Sequence, residues 1–262
     1  MTPELETRIR TAVHESAFEH KGSLIQLYAG GSALHGASVP GKADLDVLGI
    51  FVEPTEYLFG LGKYEHFVSS TSGDHARNTP DDVDIALYSL RRWAGLAAKG
   101  NPTALQFLWA PNVLKNRYWE KVKRPLAAFI PSKKAVNAYR GFVTDQMKRL
   151  LGLKGQGKHG QRPELEVKHG YDTKAAMHAI RLVGEGIELM STGAITFPRP
   201  NVEYLRAVRN GALSLDSVCS VVSELLIELD KAEANSPLQA KPNYDYINKT
   251  LVDFYENFWW GL

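Results

Sequence analysis

Two aspartates one residue apart, Asp44 and Asp46, stand at the head of the apolar run LDVLGIFV. Side chains alternate along a strand, so both carboxylates point to one side, about 7 Å apart along the backbone. Like charges that close repel unless a cation neutralises them. A hard divalent ion such as magnesium, which takes carboxylate oxygens, water and phosphate oxygens, is the usual solution. A third acid on a neighbouring strand would complete such a site. Asp84, in Val83-Asp84-Ile85, is the candidate, because its apolar flanks would face a core while it faces the other way. Upstream lies Gly30-Gly31-Ser32, with eleven residues between Ser32 and Asp44. Glycine lets peptide N–H groups approach a phosphate closely, and the Ser32 hydroxyl adds a donor. An anion cradle beside a cation site makes a nucleoside triphosphate site. Phosphoryl-group chemistry asks a protein mainly for positioning and charge neutralisation, and two metals about 3.5–4 Å apart can clamp the attacking and leaving oxygens. The same letters also describe an ordinary loop entering an ordinary strand; Asp84 on a later strand is what separates the two readings.

The elements that must hold these residues are legible in outline. Thr2-Pro3-Glu4 is a helix start with proline at the first position, followed by Leu5, Ile9, Ala12, Val13 and Ala17 at the spacing of one helix face. Ser23–Ala29 reads as a strand ended by Gly30-Gly31, Leu45–Val52 as a second, and residues 81–88 (DDVDIALY) as a third. Ser89 opens a helix closed by Gly100, and Asn101-Pro102 opens another that Pro111 halts. From about residue 133 no strand signal appears, and helices are predicted at roughly 132–151, 172–191, 200–210, 214–234 and 243–258. The expected fold class is α+β: an N-terminal unit with a small sheet over residues 1–130, then an all-helical half over 131–262.

Composition narrows the class without naming a partner. The chain has 262 residues, 44% of them apolar and 23% charged, which is the globular range. Acidic and basic residues number 29 and 31, so any electrostatic signal must come from local clusters. The single cysteine, Cys219, excludes a disulfide framework and a cysteine-built zinc site, suits a reducing interior, and is expected as a small core residue. No apolar run approaches the roughly 20 residues that cross a bilayer, and the charged N-terminus lacks a signal-peptide core. A cytoplasmic protein with no membrane partner is expected.

Several blocks carry a resemblance. They are GGSALHG with ADLDVLGIFV, then DVDIALYSLRRWAGLAAKGNPTALQFLWAP, YRGFVTDQMKRLLG, and KHGYDTKAAMHAIRLVGEGIELMSTGAITFPRP, spread over residues 28–200. Together they resemble the nucleotidyltransferase superfamily of DNA polymerase beta and, more narrowly, the bacterial and phage group called the RNA repair pathway DNA polymerase beta family. The resemblance implies a mixed-sheet palm with two Mg2+ ions, Mn2+ serving as an alternative, in which Asp44, Asp46 and Asp84 are the catalytic and metal-binding acids. It implies that Gly31, Ser32 and His35 bind the nucleotide, and that residues 131–262 complete the nucleotide and acceptor site. The implied reaction moves a nucleoside monophosphate from an NTP, ATP among them, to an acceptor hydroxyl, with an RNA (tRNA-like) end as acceptor. Attachment to a protein side chain, as in antitoxin-type relatives that AMPylate proteins, and a non-catalytic nucleotide- or RNA-binding module are the alternatives.

In the helical half, Asp172 is a natural N-cap. Lys174, His178, Arg181 and Glu185 then form one stripe, with Ala176, Ile180, Val183, Ile187 and Met190 broadly opposite. Such a stripe is either a solvated face or a phosphate-facing one. The family block containing it favours the second and puts Lys174, His178 and Arg181 among the nucleotide-binding residues. The glycine-rich basic loop and its flanks offer Lys148, Arg149, Lys158, Arg162 and Lys168 as candidate nucleic-acid contacts, or equally a solvated loop. Trp93, Trp109 and Trp119 are expected in the core, and Trp259-Trp260 against the last helix.

Overall fold

The structure is a computed structural model and describes residues 2–18, 22–38, 44–71, 81–114, 116–153 and 162–261. The chain divides into two compact units that interleave along the sequence. The first takes residues 1–96, 107–130 and 243–262, and the second takes 97–106 and 131–242. The division foreseen at residue 130 therefore differs from the observed one at two places: residues 97–106 lie with the helical unit and the terminal helix with the sheet.

The first unit contains α1 (Pro3–Glu15), β1 (Ser23–Ala29), α2 (Gly31–His35), β2 (Leu45–Val52), α3 (Thr55–Phe59), β3 (His66–Ser70), β4 (Val83–Ser89), most of α4 (Leu90–Ala98), α6 (Tyr118–Phe129) and α12 (Tyr244–Trp260). Its four strands lie in the order β1-β2-β4-β3. The β1–β2 and β3–β4 pairs are antiparallel and β2–β4 is parallel, so the sheet is mixed. Period-two alternation explains how it is held. Leu45, Val47, Val83, Ile85 and Leu87 face a core completed by Ile9 and Val13 of α1 and by Phe18, whose ring lies 5.1 Å from Phe51 and 5.4 Å from Phe67. The intervening residues Asp46, Leu48, Asp84, Ala86 and Tyr88 point the other way. The outer edge of β1 is covered locally: Asn112 accepts from the Leu27 N–H at 3.1 Å and donates to the Ile25 carbonyl at 3.1 Å, while the Val113 N–H reaches the Leu27 carbonyl at 2.7 Å.

Aromatic residues fill the rest of this unit. Phe107 stands edge-on to Tyr28 with centroids 4.9 Å apart, and Trp93 is edge-on to Trp119 at 5.1 Å. Trp93 and Trp119 are fully buried, as expected, whereas Trp109 is only half-buried and Trp260 is exposed. Helix α12 packs on α6 through Tyr246 against Phe129 and Phe258 against Tyr118. It also reaches the end of β2, where the Tyr255 hydroxyl donates to the fully buried Glu53 carboxylate. Arg91 stands 4.0 Å from the other oxygen of Glu53.

The second unit contains α5 (Pro102–Gln106), α7 (Ala135–Leu150), α8 (Pro163–His169), α9 (Thr173–Thr192), α10 (Val202–Arg209) and α11 (Leu215–Ala234). The helix starts carry the chemistry foreseen for them. Asp172 accepts from the Lys174 and Ala175 N–H groups at 2.9 and 3.0 Å, and Asn101 accepts from Ala104 at 3.0 Å. Helix α9 is the axis of the unit, packed by α7, α11 and α10. Gly186 lets the neighbours close in: a Cβ there would lie 3.2 Å from Leu229 and 3.3 Å from Tyr139. Cys219, expected inside, is half-exposed on α11 instead, because α11 packs through one stripe of Val218, Val222 and Leu229. Among the described residues no helix is long and apolar enough to cross a membrane.

The tie between α12 and β2 has a measurable weight. Tyr255→Phe removes a donor from a buried carboxylate, and a hydrogen bond to a charged group contributes about 2 kcal/mol. A fall of that size in urea unfolding is expected, with the fluorescence of the folded state unchanged.

Candidate active site

The acids of the opening motif are placed by the parallel pairing of β2 and β4. Asp46 and Asp84 are direct register partners, so their Cα atoms lie one strand spacing apart, about 4.8 Å, with both side chains on the face away from α1. Asp44 immediately precedes β2 and, like the other two, is half-buried. The Leu45 N–H bonds to the Asp82 carbonyl at 3.0 Å and locks the entry to both strands together.

The glycine turn lies directly against this pair. The Gly30 N–H donates to the Asp46 carbonyl at 2.8 Å. Gly31 adopts φ +51°, and a Cβ there would lie 1.8 Å from Asp46 Oδ2, so both backbone conformation and space require glycine. What reads as a bend in the sequence is the start of a one-turn helix, α2, in which the Ser32 hydroxyl lies 3.2 Å from that of Ser38 and His35 is buried. On the other side, Ser70 of β3 donates its hydroxyl to Asp84 Oδ1 at 2.5 Å. Sequence reasoning missed Ser70 because β3 is a five-residue edge strand, HFVSS, whose only signal is a short alternation.

Among the described residues no three His, Cys, Asp or Glu side chains are grouped tightly enough to hold a metal ion. The donor set nonetheless suits one. Magnesium is typically held by one or two carboxylates, with water and substrate phosphate supplying the other oxygens, and Asp46 and Asp84 offer two such carboxylates at one register position.

The charged stripe of α9 lies differently from its sequence-stripe reading, with its far end inside the helical unit. Glu185 is fully buried, accepts Arg181 Nη1 at 2.6 Å and Gln106 Nε2 at 3.3 Å, and so holds the Arg181 charge internally. The solvated-face alternative fails at this end because α9 is covered on several sides, a result of the helices around it rather than of its own periodicity. Lys174 and His178 are half-buried. Burial, then the positive charges of Arg181, Lys174, Arg162 and Arg209, hold the His178 imidazole well below the ordinary histidine range, so it is neutral at pH 7. Arg162 Nη1 binds Asp172 at 2.8 Å. Of the other candidate nucleic-acid contacts, Lys148 and Arg149 occupy the last turn of α7 and Lys168 that of α8. Lys158 lies outside the described residues.

The chain is similar to known proteins at three levels. A family model described as RNA repair pathway DNA polymerase beta family matches residues 5–253. A protein of Enterobacteria phage T4, an uncharacterized 38.9 kDa product of the nrdC-mobD intergenic region, is 32% identical over 142 residues, which are 52% of this chain. That match spans 41% of the phage protein's own length. A nucleotidyltransferase-like protein from Exiguobacterium sibiricum 255-15, known from its crystal structure, aligns over 95% of this chain and 79% of its own at 15% identity and a TM-score of 0.32.

Two outcomes follow from this geometry. Gly31→Ala should displace either the Asp46 carboxylate or the α2 turn, lowering the melting temperature by several degrees. His178 titrates lower in the folded chain than in the unfolded one, so the stability tied to its neutral form is complete above about pH 6.5 and is lost as pH falls below that value. His178→Gln should therefore flatten the acid side of the stability–pH curve, measured by urea unfolding from neutral to acidic pH.

Proposed function

Because the chain belongs to the RNA repair pathway DNA polymerase beta family, we propose that the Asp46–Asp84 edge is the catalytic centre of a metal-dependent nucleotidyltransferase. The observation that carries this reading is the register pairing of the two aspartates with Gly31 pressed against one of them. Asp44, Asp46 and Asp84 would hold the divalent ions, which when bound supply charge neutralisation for the triphosphate and for the developing pyrophosphate. In the transfer, the acceptor oxygen forms a bond to the α-phosphorus, the bond from that phosphorus to the bridging oxygen breaks, and pyrophosphate leaves with the electron pair. Asp84, its carboxylate oriented by the Ser70 hydroxyl, accepts the proton that the acceptor hydroxyl loses. Gly31 and Ser32 receive the outer phosphates, and His35 supports the turn from its buried position.

The acceptor in this reading is an RNA end. A protein side chain as acceptor and a binding module without turnover are distinguished by experiment. Purified protein is incubated with each labelled NTP, magnesium and either total RNA or total protein. Label in RNA supports the reading, label in protein moves the acceptor, and tight NTP binding without transfer under any condition overturns it.

Asp44→Asn, Asp46→Asn and Asp84→Asn should each reduce transfer by at least about a thousandfold, with circular dichroism spectra unchanged. Asp82→Asn, whose carboxylate accepts from Thr71 at 3.3 Å at the strand entry, should cost less than tenfold or so. Equal effects at positions 82 and 84 would remove Asp84 from the centre.

A further inference from the structure

The face of the sheet that carries the acids continues past them. Register sets its side chains in rows across β2, β4 and β3: Asp46, Asp84 and Ser70, then Leu48, Ala86 and Val68, then Ile50, Tyr88 and His66. Phe67, between His66 and Val68, turns to the opposite face and packs on the core there, as the pleat requires. The second row is open at β3, where Val68 is 64% exposed. In the third row the His66 imidazole lies flat on the Tyr88 ring, with centroids 4.6 Å apart and planes inclined by 21°. Phe107 meets the same tyrosine edge-on at 6.0 Å, and His66, exposed, is the outer member of the stack. Arg92, near the start of α4, acts electrostatically on both rings. Its guanidinium is half-exposed and stands 3.8 Å from the Glu65 carboxylate, too far for that acid to take up its donors. Partial burial, then the Arg92 charge, hold the His66 imidazole below the ordinary histidine range, so the ring is neutral at pH 7.

We infer that the His66–Tyr88 stack, Arg92 and Val68 form a track for the single-stranded end of the acceptor RNA, leading to the paired aspartates. A flat heterocycle backed by an aromatic ring offers a base the partner that a neighbouring base would, and such stacking tolerates any sequence. A duplex keeps its bases in its own stack and offers the imidazole none. Arg92 supplies a cation for the backbone phosphate beside the stacked base. Val68 gives the intervening nucleotide an apolar seat. Tyr88 lies four residues beyond Asp84 on β4, about 13 Å by strand rise, which is roughly the span of two nucleotides of a stretched chain. The base held on His66 is therefore the third from the end whose hydroxyl meets Asp84. That the RNA is the acceptor rests on the transferase reading; the binding surface rests on the register rows, the ring stack and the Arg92 charge.

The test uses the whole chain with magnesium and no NTP, so that binding is read without turnover. A fluorescein-labelled single-stranded oligoribonucleotide, followed by anisotropy, should bind the wild type, and should bind His66→Ala about tenfold more weakly. His66→Phe, which keeps a flat ring, should stay within about twofold of the wild type. Arg92→Gln should weaken binding several-fold and flatten its dependence on salt. Lys249→Gln, which removes a surface partner of Asp253 on α12, should change neither. An RNA without the base at the third position from its end should bind the wild type as weakly as the complete RNA binds His66→Ala, and combining the two losses should cost little more than one alone. Melting curves check that each variant folds; should His66→Ala unfold, Val68→Glu carries the comparison and should weaken binding as well. Binding that is absent, or equal in wild type, His66→Ala and Val68→Glu, overturns the proposal, and label transfer to RNA by the wild type then keeps the strand-edge centre without this track. A preference for duplex over single-stranded RNA overturns it too. His66-dependent binding without transfer under any condition refutes the transferase reading and leaves the RNA surface standing.

Discussion

The sheet is organised around an electrostatic conflict between Asp46 and Asp84, two carboxylates placed at one register position on parallel strands. Opposed like charges weaken a sheet, and a fold that keeps them must supply stability elsewhere. Here it comes from the reverse face, where Leu45, Val47, Val83, Ile85 and Leu87 of the same strands bury themselves against α1 and Phe18. Each strand is thus split in purpose by its own pleat. The apolar half fixes register, since a slip of one residue would turn the acids into the core, and register in turn fixes the separation of the carboxylates.

The helical unit handles charge in a different way. Its central helix carries polar side chains into the packed interior, and the fully buried Glu185 is held there by a guanidinium and an amide from within the unit. Breaking such a set leaves an uncompensated buried charge, a cost of several kcal/mol. Toward the C-terminal end of α9 charge is thus neutralised internally, and at its N-terminal end Asp172 both caps the helix and binds Arg162.

Much of this was legible in the sequence where local chemistry decides structure. The strand patterns of β1, β2 and β4, the caps at Asp172 and Asn101, and the long helices follow from alternation, capping oxygens and 3.6-residue periodicity. The pairing of Asp46 with Asp84 needed the strand order, which a pattern of apolar residues does not contain. Ser70 was hidden by the brevity of β3, and the one-turn helix at Gly31 by its two glycines, which read equally as a bend. The stripe from Lys174 to Glu185 shows the limit most clearly. Periodicity places side chains on a helix face, but only the surrounding helices determine whether that face meets water. Arg209 belongs to a separate helix, and nothing within its own segment links it to His178.

The sheet-bearing unit draws its last helix from residues 243–261, after the chain has passed twice through the other unit. During synthesis, Glu53 and the ring of Phe129 emerge long before Tyr255 and Tyr246 exist to cover them. A nascent chain halted anywhere before the terminal helix therefore shows an unfinished apolar surface on α6 and a carboxylate without its tyrosine. Completion of the first unit waits on α12, so the sheet that carries the paired aspartates gains its last helix only after residues 131–242 of the second unit have been made.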